Sequence, residues 1–170
     1  MKTKRLILVR IIMNLLPETQ FFNIKNKLLR WSGVKIGRNV RICSSVRFLG
    51  NGEIEIGNDV WIGHETMIVS TSFIKIGNHV DIAPRVFIGT GTHEIDSTGT
   101  HSAGKGKNIP VRIGDGVWIC VNSTILPGSD IGDKTIIAAG SVVKGFLPEQ
   151  IVAGGNPAVL LKPLEDREIK

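Results

Sequence analysis

The chain has no tyrosine, and its aromatic residues amount to only 5% of 170. A globular core of this length ordinarily leans on rings, so their scarcity points to a narrow interior filled by Ile, Val, Ala and Ser. Cysteine is nearly as scarce. Cys43 and Cys120 each follow an isoleucine at equivalent positions far apart in sequence, which argues against a disulfide framework and an oxidising compartment. No apolar run is long enough for a membrane span of about twenty residues. The stretch LILVRIIMNLL, residues 6–16, is interrupted by Arg10 and stops at Pro17. Lys and Arg precede that run as in a signal peptide, but Arg10 lies within it and no small-x-small cleavage site follows. Acidic residues are missing from one region: residues 1–35 hold eight Lys and Arg against Glu18 alone, a net +7, and the remainder sums to −1. The overall +6 therefore belongs to an N-terminal segment. A nucleic-acid-binding domain, which needs a basic face on the folded body, is not expected.

What is present is a beat of six. Ile113, Ile119, Ile125, Ile131, Ile137 and Val143 fall six residues apart without a slip. A helix wants apolar residues three and four apart, and a half-buried strand wants every second residue. A sustained period of six is an internal repeat of short strands separated by corners, one large aliphatic per side pointing inward. Three sides close a triangular coil of about eighteen residues, and stacked coils make a parallel β-helix. The twenty glycines suit many tight corners.

The same register starts near Val34. Ile36, Ile42 and Phe48 form one set of sixes, Ile56, Ile62 and Ile68 a second, and Ile76, Ile82 and Ile88 a third. Two extra residues recur at one corner, at Gly50-Asn51-Gly52 and at Ser70-Thr71-Ser72. After Ile88 the next register residue is Ile113, so a single structureless excursion, residues 89–110, leaves from the corner that already bulges. A loop that long in a compact domain is usually functional. Before the repeat, Phe21, Ile24, Leu28 and Trp31 stand at helical spacing, with Thr19 as N-cap and Gly33 as stop. This basic amphipathic segment, residues 1–33, is expected to cap the first coil with its apolar stripe or to rest on an anionic membrane surface. The β-helix is expected over 34–145, with a capping segment at 146–170 that includes a short C-terminal helix at Val159–Glu168.

Three blocks, IGNHVDIAPRVFIGTGTHEID, IPVRIGDGVWICVNSTILPGSDIGDKTIIAAGSVV and IVAGGNPA, together with the earlier repeats, resemble the hexapeptide-repeat acetyltransferases. The similarity is greatest to their galactoside, maltose and polysaccharide O-acetyltransferase branch. The resemblance implies a mainly β, left-handed parallel β-helix, a hand the spacing alone does not fix and one opposite to the usual crossover. It also implies acetyl-CoA as co-substrate, no metal, and a homotrimer with active sites between subunits. On this reading His93, in the excursion, is the general base, a role suited to imidazole near neutrality. Asp96 is the candidate for orienting it, as the acid of a triad orients its histidine. Trp118 precedes inward-facing Ile119 and so points outward, where a sugar, the acyl-CoA arm or another subunit would cover it. Trp61, in the same repeat phase, is expected at subunit packing. His64 and Glu65, one coil earlier, are candidates for the acceptor cleft, and His79 sits at an Asn-rich corner.

By position, the family's coenzyme contacts fall on Val121, Ala139, Gly140 and Lys144. The family's Arg after NPA is replaced here by Val159, leaving Lys162 as the next cation, with Lys105 and Lys107 in the excursion as further candidates for the phosphates. The histidine spacings do not match the three-histidine zinc set of the carbonic anhydrases that share this fold. The expected activity is O-acetylation of a sugar hydroxyl in capsule or lipopolysaccharide synthesis. It is placed in the cytoplasm, with peripheral contact of residues 1–30 at the inner face of the membrane. The alternative is N-acetylation of an amino-sugar nucleotide.

Overall fold

The six-residue beat becomes three flat faces. In this computed structural model, which describes residues 1–164, the first face stacks Lys35–Ile36, Glu53–Ile56, Phe73–Ile76, Val111–Ile113, Asp130–Ile131 and Phe146–Leu147. The second stacks Arg41–Ile42, Trp61–Ile62, Asp81–Ile82, Trp118–Ile119, Ile136–Ile137 and Ile151–Gly155. The third stacks Arg47–Leu49, Met67–Val69, Phe87–Gly89, Thr124–Ile125 and Val142–Val143. Every one of these pairings is parallel, and the inward residues fall into columns, Ile42 over Ile62 over Ile82, then Ile119 and Ile137. Those five isoleucines are wholly buried, and each contributes roughly 1.5–3 kcal/mol by leaving water. The last coil continues through Phe146–Leu147 and Ile151–Gly155, so the repeat runs past the boundary expected at 145.

The corners show why the repeat reads Ile-Gly followed by Asn or Asp. At the first corner, the side chains form a ladder along the axis: Asn58 N–H donates to Asn78 Oδ1, Asn78 N–H to Asp115 Oδ1, and Asp115 N–H to Asp133 Oδ1, at 2.9, 2.7 and 2.8 Å. The glycines just before are needed for close approach. A Cβ on Gly57 would sit 2.6 Å from the Gly77 carbonyl carbon and 2.8 Å from Asn78 Oδ1. Left-handed backbone at this corner falls instead on Asn39, Asp59, His79 and Lys134. Glycine here is thus chosen for space more than for φ. Small hydroxyl residues fill other corner sites, and Thr135 and Ser141 are buried while donating to the carbonyls of Pro148 and Ala138.

Helices α1 (Thr3–Met13) and α2 (Phe22–Ser32) precede the first coil. Among the described residues no helix is long and apolar enough to cross a membrane. Helix α2 packs the opposite way to expectation. Its buried residues are Lys25, Asn26, Leu29 and Ser32; of the expected stripe only Leu28 packs against the core, whereas Phe21, Ile24 and Trp31 are about half exposed. The cause is an unpaired sheet edge. Within the stack, the carbonyls of Ile56, Val60 and Ile62 accept from Gly37, Arg41 and Cys43 of the preceding coil. Their counterparts Ile36, Val40 and Ile42 have no preceding coil. Arg30 Nε donates to Ile36 at 3.1 Å, Asn26 Nδ2 to Val40 at 2.8 Å, and Lys25 Nζ to Ile42 at 3.4 Å. A buried carbonyl left without a donor is costly, so the helix turns its polar side inward. Phe21, in left-handed backbone, occupies the N-cap in place of Thr19, and Gly33 ends the helix as expected.

At the far end the expected terminal helix is not formed where the structure describes it. Ala158–Pro163 is a strand that folds back antiparallel on Ile151–Gly155; the rest of that expectation, 165–168, lies outside the described residues. The last coil leaves a free edge there, and an extended segment pairs with it through backbone hydrogen bonds.

Asn26→Leu puts an apolar side chain of similar size into the buried side of α2. It should destabilise the protein by about 1–3 kcal/mol in denaturant melts, because the Val40 carbonyl loses its donor. Ile24→Ser should stay within about 0.5 kcal/mol. The reverse order would mean that the apolar stripe carries the cap.

Candidate functional site

The excursion expected to be structureless is an antiparallel ribbon of Gly91–Ile95 and Ala103–Asn108. Its base is fastened to the bulged third corner. Thr71 N–H donates to Thr90 Oγ1 at 2.8 Å, and Thr71 Oγ1 to Asn108 Oδ1 at 2.7 Å. Ser70-Thr71-Ser72 thus forms the platform from which the ribbon leaves, and Gly50-Asn51-Gly52 lies beneath it with Gly52 N–H on the Ser70 carbonyl.

His93 is exposed on the outgoing strand, opposite Gly106. Its Nδ1 lies 2.9 Å from the carbonyl oxygen of Gly104. A carbonyl only accepts, so Nδ1 carries a proton, and in the neutral imidazole Nε2 keeps its lone pair. The imidazole is therefore held with its basic nitrogen away from the backbone, a poise suited to proton abstraction. Asp96 does not occupy the orienting position. Its Oδ1 accepts from Thr98 N–H at 2.9 Å, Gly99 N–H at 2.8 Å and Thr98 Oγ1 at 3.1 Å, closing the ribbon tip. The Thr98 amide, helped by those of Gly99 and the Thr98 hydroxyl, holds its carboxyl below the usual range. Sequence reasoning missed Gly104, because a backbone carbonyl leaves no mark on residue identity.

The remaining candidates are spread around the prism. Trp118 is half exposed on the second face, between Asp81 and Ile136 in register. Trp61, one coil before Asp81, is partly buried, with Phe22 edge-on at 6.3 Å and Arg41 at 5.2 Å. His64 and Glu65 sit at the second corner: Glu65 pairs with Arg85 at 3.6 Å and His64 Nδ1 with Glu18 Oε2 at 3.4 Å. Within one chain, then, His93 at the third corner and His64 at the second are set apart by the width of the third face. His79 stands at the first corner, 3.9 Å from Asp59.

Val121 and Gly140 stack at the second corner, with Gly140 N–H on the Val121 carbonyl at 2.9 Å. Gly140 and Ala139 are exposed, and a Cβ on Gly140 would meet nothing within 4 Å, so this corner has room for a ligand. Lys144 follows the third face and Lys162 lies in the closing strand on the second, both exposed. Lys105 and Lys107 are exposed on the returning strand of the ribbon.

One polar cluster was not foreseen. Glu18, Cys43 and His64 bring possible ligand atoms within 4.8 Å of one another. The ammonium of Lys25 stands beside them, donating to the carbonyls of Pro17 and Glu18 at 2.8 and 2.7 Å. Burial pushes the Cys43 thiol up to about 11, and burial likewise lowers Lys25. Burial opposes the Glu18 charge, yet the N–H and hydroxyl of Ser45, with His64 and Lys25, hold its carboxyl below the usual range. These contacts tie the N-terminal segment to the first two coils.

Two checks follow for the ribbon. Long-range ¹H–¹⁵N NMR above neutral pH should show His93 protonated at Nδ1; a proton at Nε2 would remove the Gly104 contact. The lowered pKa of Asp96 makes its contribution full above the ordinary value of 3.8 and lost as pH falls through the lower folded value. The Thr98 and Gly99 amide shifts should therefore move together only below pH 3.8, and Asp96→Asn should abolish that step.

The comparisons with known proteins agree with this layout. The family model described as bacterial transferase hexapeptide (six repeats) matches residues 110–145. An Escherichia coli K12 protein named as the colanic acid biosynthesis acetyltransferase WcaF is 33% identical over 141 residues, covering 83% of this chain and 75% of the relative. The galactoside O-acetyltransferase of the same organism is 30% identical over 144 residues, covering 85% and 70%. Among solved structures, the hexapeptide-repeat acetyltransferase VCA0836 of Vibrio cholerae superimposes with a TM-score of 0.79 at 25% identity, covering 96% of this chain and 91% of its own. The same protein has been solved with acetyl-coenzyme A, and that complex superimposes at 0.71 with 24% identity, covering 96% and 87%. The hand of the coil is the left hand that the resemblance implied.

Proposed function

This chain belongs to the hexapeptide-repeat acetyltransferases, and on that premise we propose that it transfers the acetyl group of acetyl-coenzyme A to a hydroxyl group of a sugar, with His93 as the general base. The observation that carries the proposal is the Gly104 carbonyl on His93 Nδ1, which leaves Nε2 free to act. Nε2 takes the proton of the acceptor hydroxyl as its oxygen attacks the thioester carbonyl. The tetrahedral intermediate collapses, the carbon–sulfur bond breaks, and the coenzyme thiolate leaves with the proton carried by Nε2. The imidazole ends as it began, so no net proton is stored on the enzyme.

Gly104 does the positioning that a triad carboxylate does elsewhere, at a neutral hydrogen bond in place of a charged one. Asp96 supports it indirectly by closing the turn that sets the spacing of the two ribbon strands. The second corner, with Val121, Ala139 and exposed Gly140, offers backbone and room for the pantetheine arm. Lys144 and Lys162, with Lys105 and Lys107, are the cations available to the phosphates. Trp118 is proposed to wall the site, and His64 and Glu65 to face the acceptor.

Two features support a homotrimer with sites between subunits. His93 leaves from the third corner whereas Val121, Ala139 and Gly140 lie at the second, and Trp118 presents a half-exposed indole on a flat face. The acceptor class follows the named relatives, one of them in colanic acid biosynthesis and one acting on galactosides, which favours a hydroxyl of a surface polysaccharide or its precursor.

His93→Ala should cost at least about 10²-fold in kcat/KM for transfer from acetyl-coenzyme A to sugar acceptors, with the melting curve unchanged. Turnover near that of the wild type would sink the mechanism. Light scattering should return the mass of three chains, and Asp96→Ala should cost less activity than His93→Ala.

A further inference from the structure

Helix α1 is apolar on two opposite sides, and only one of them is covered. Leu6, Val9 and Met13 are buried. Ile7, Leu8, Ile11 and Leu15 are 59, 47, 56 and 81% exposed. With a turn every 3.6 residues, Ile7 and Ile11 form a row down the far side from Val9 and Met13, Leu8 lies beside it, and Leu15 follows in the turn after the helix. An apolar side of a helix is ordinarily covered. Helix α2, whose polar residues are spent on the first coil, adds half-exposed Ile24 and Trp31.

Charge says what covers them. Lys2, Lys4, Arg10 and Lys27 are exposed on the same segment, and the first turns of both helices carry no acid. Glu18, the lone acid of residues 1–35, is engaged by Ser45 and His64. A second copy of this surface would bring one +7 segment against another. An anionic bilayer accepts both features, the apolar row at the acyl boundary and the cations among the headgroups.

Position gives the docking a purpose. Helix α1 lies against the third corner of the first coil, where Leu6, Arg10 and the inner edge of Ile7 line a hollow with Phe48, Leu49 and Gly50. Two coils along that same corner, about 10 Å at the usual strand spacing, the ribbon bearing His93 leaves the coil. We propose that the outward row of α1 docks this protein on an anionic membrane, so that His93 serves an acceptor glycan held at that surface by a lipid anchor. The acceptor half of this rests on the sugar O-acetylation proposed above, and the docking half does not.

The test floats the full chain with vesicles of phosphatidylglycerol or of phosphatidylcholine alone, at low and raised salt. The wild type and His93→Ala should both float with phosphatidylglycerol, less so in salt, and neither with phosphatidylcholine. The triple variant Ile7→Ser, Ile11→Ser, Leu15→Ser should lower the partition coefficient at least about tenfold. Its mass and its transfer to a soluble sugar should stay unchanged, and its transfer to a glycolipid in the same vesicles should fall. Lys2→Glu with Lys4→Glu should weaken flotation without altering the melt. A wild type that stays unbound, or binds both lipids equally, overturns the docking. So does a triple variant that floats normally or loses its oligomeric mass, the latter assigning the row to a neighbouring copy. Normal flotation with equal transfer to soluble and vesicle-borne acceptors would overturn the lipid-anchored acceptor alone.

Discussion

Every coil in this protein completes its backbone hydrogen bonds on the coil after it, and the first coil has none before it. That single deficit organises the N-terminal third. Arg30, Asn26 and Lys25 take the donor places that a preceding strand would have filled, on the carbonyls of Ile36, Val40 and Ile42. Backbone satisfaction outweighs side-chain hydrophobicity here, because an orphaned buried carbonyl loses about as much as a small apolar side chain gains by burial. Lys25, wholly buried, is the clearest product of that balance: its ammonium reaches three carbonyls and sits beside the Glu18 carboxylate and the Cys43 thiol.

The third corner is where the coil can be altered without disturbing the inward columns. Two extra residues at Gly50–Gly52 and Ser70–Ser72 leave Phe48 over Ile68 over Ile88 in register. The ribbon inserted one coil later leaves Ile88 over Ile125 equally undisturbed. An enlarged corner is thus a place where a rigid scaffold can present a mobile-looking sequence in a fixed shape. Here the shape is set by the Thr71 contacts at its base, the Asp96 turn at its tip and the Gly104 carbonyl on His93 between them.

The fold was legible because an isoleucine every sixth residue has few structural meanings, and the columns Ile42 to Ile137 and Ile36 to Ile131 form as read. The excursion and its histidine were legible as a break in that beat. What failed to read were features decided by backbone groups. Phe21, Ile24, Leu28 and Trp31 have the spacing of a buried stripe, but the unmet carbonyls lie on the other side of the helix. Val159-Leu160-Leu161 has helix-compatible composition, but the free edge of Ile151–Gly155 recruits it as a strand. Asp96 stands three residues from His93 and invites a dyad, yet the nearby amides of Thr98 and Gly99 claim its carboxylate first.

The two end caps have a consequence for how the protein behaves in a crowded solution. A stack of flat coils is open-ended in principle, since any exposed rim can template another rim and so grow a fibre. One rim here is plugged by polar side chains, two of them charged, and the second face of the other rim is closed by a strand running against the grain of the stack. Growth would need both plugs withdrawn, on separate molecules, at the same moment. The length of the solenoid is therefore a property written into its caps, and a chain built from indefinitely extensible units remains a discrete object.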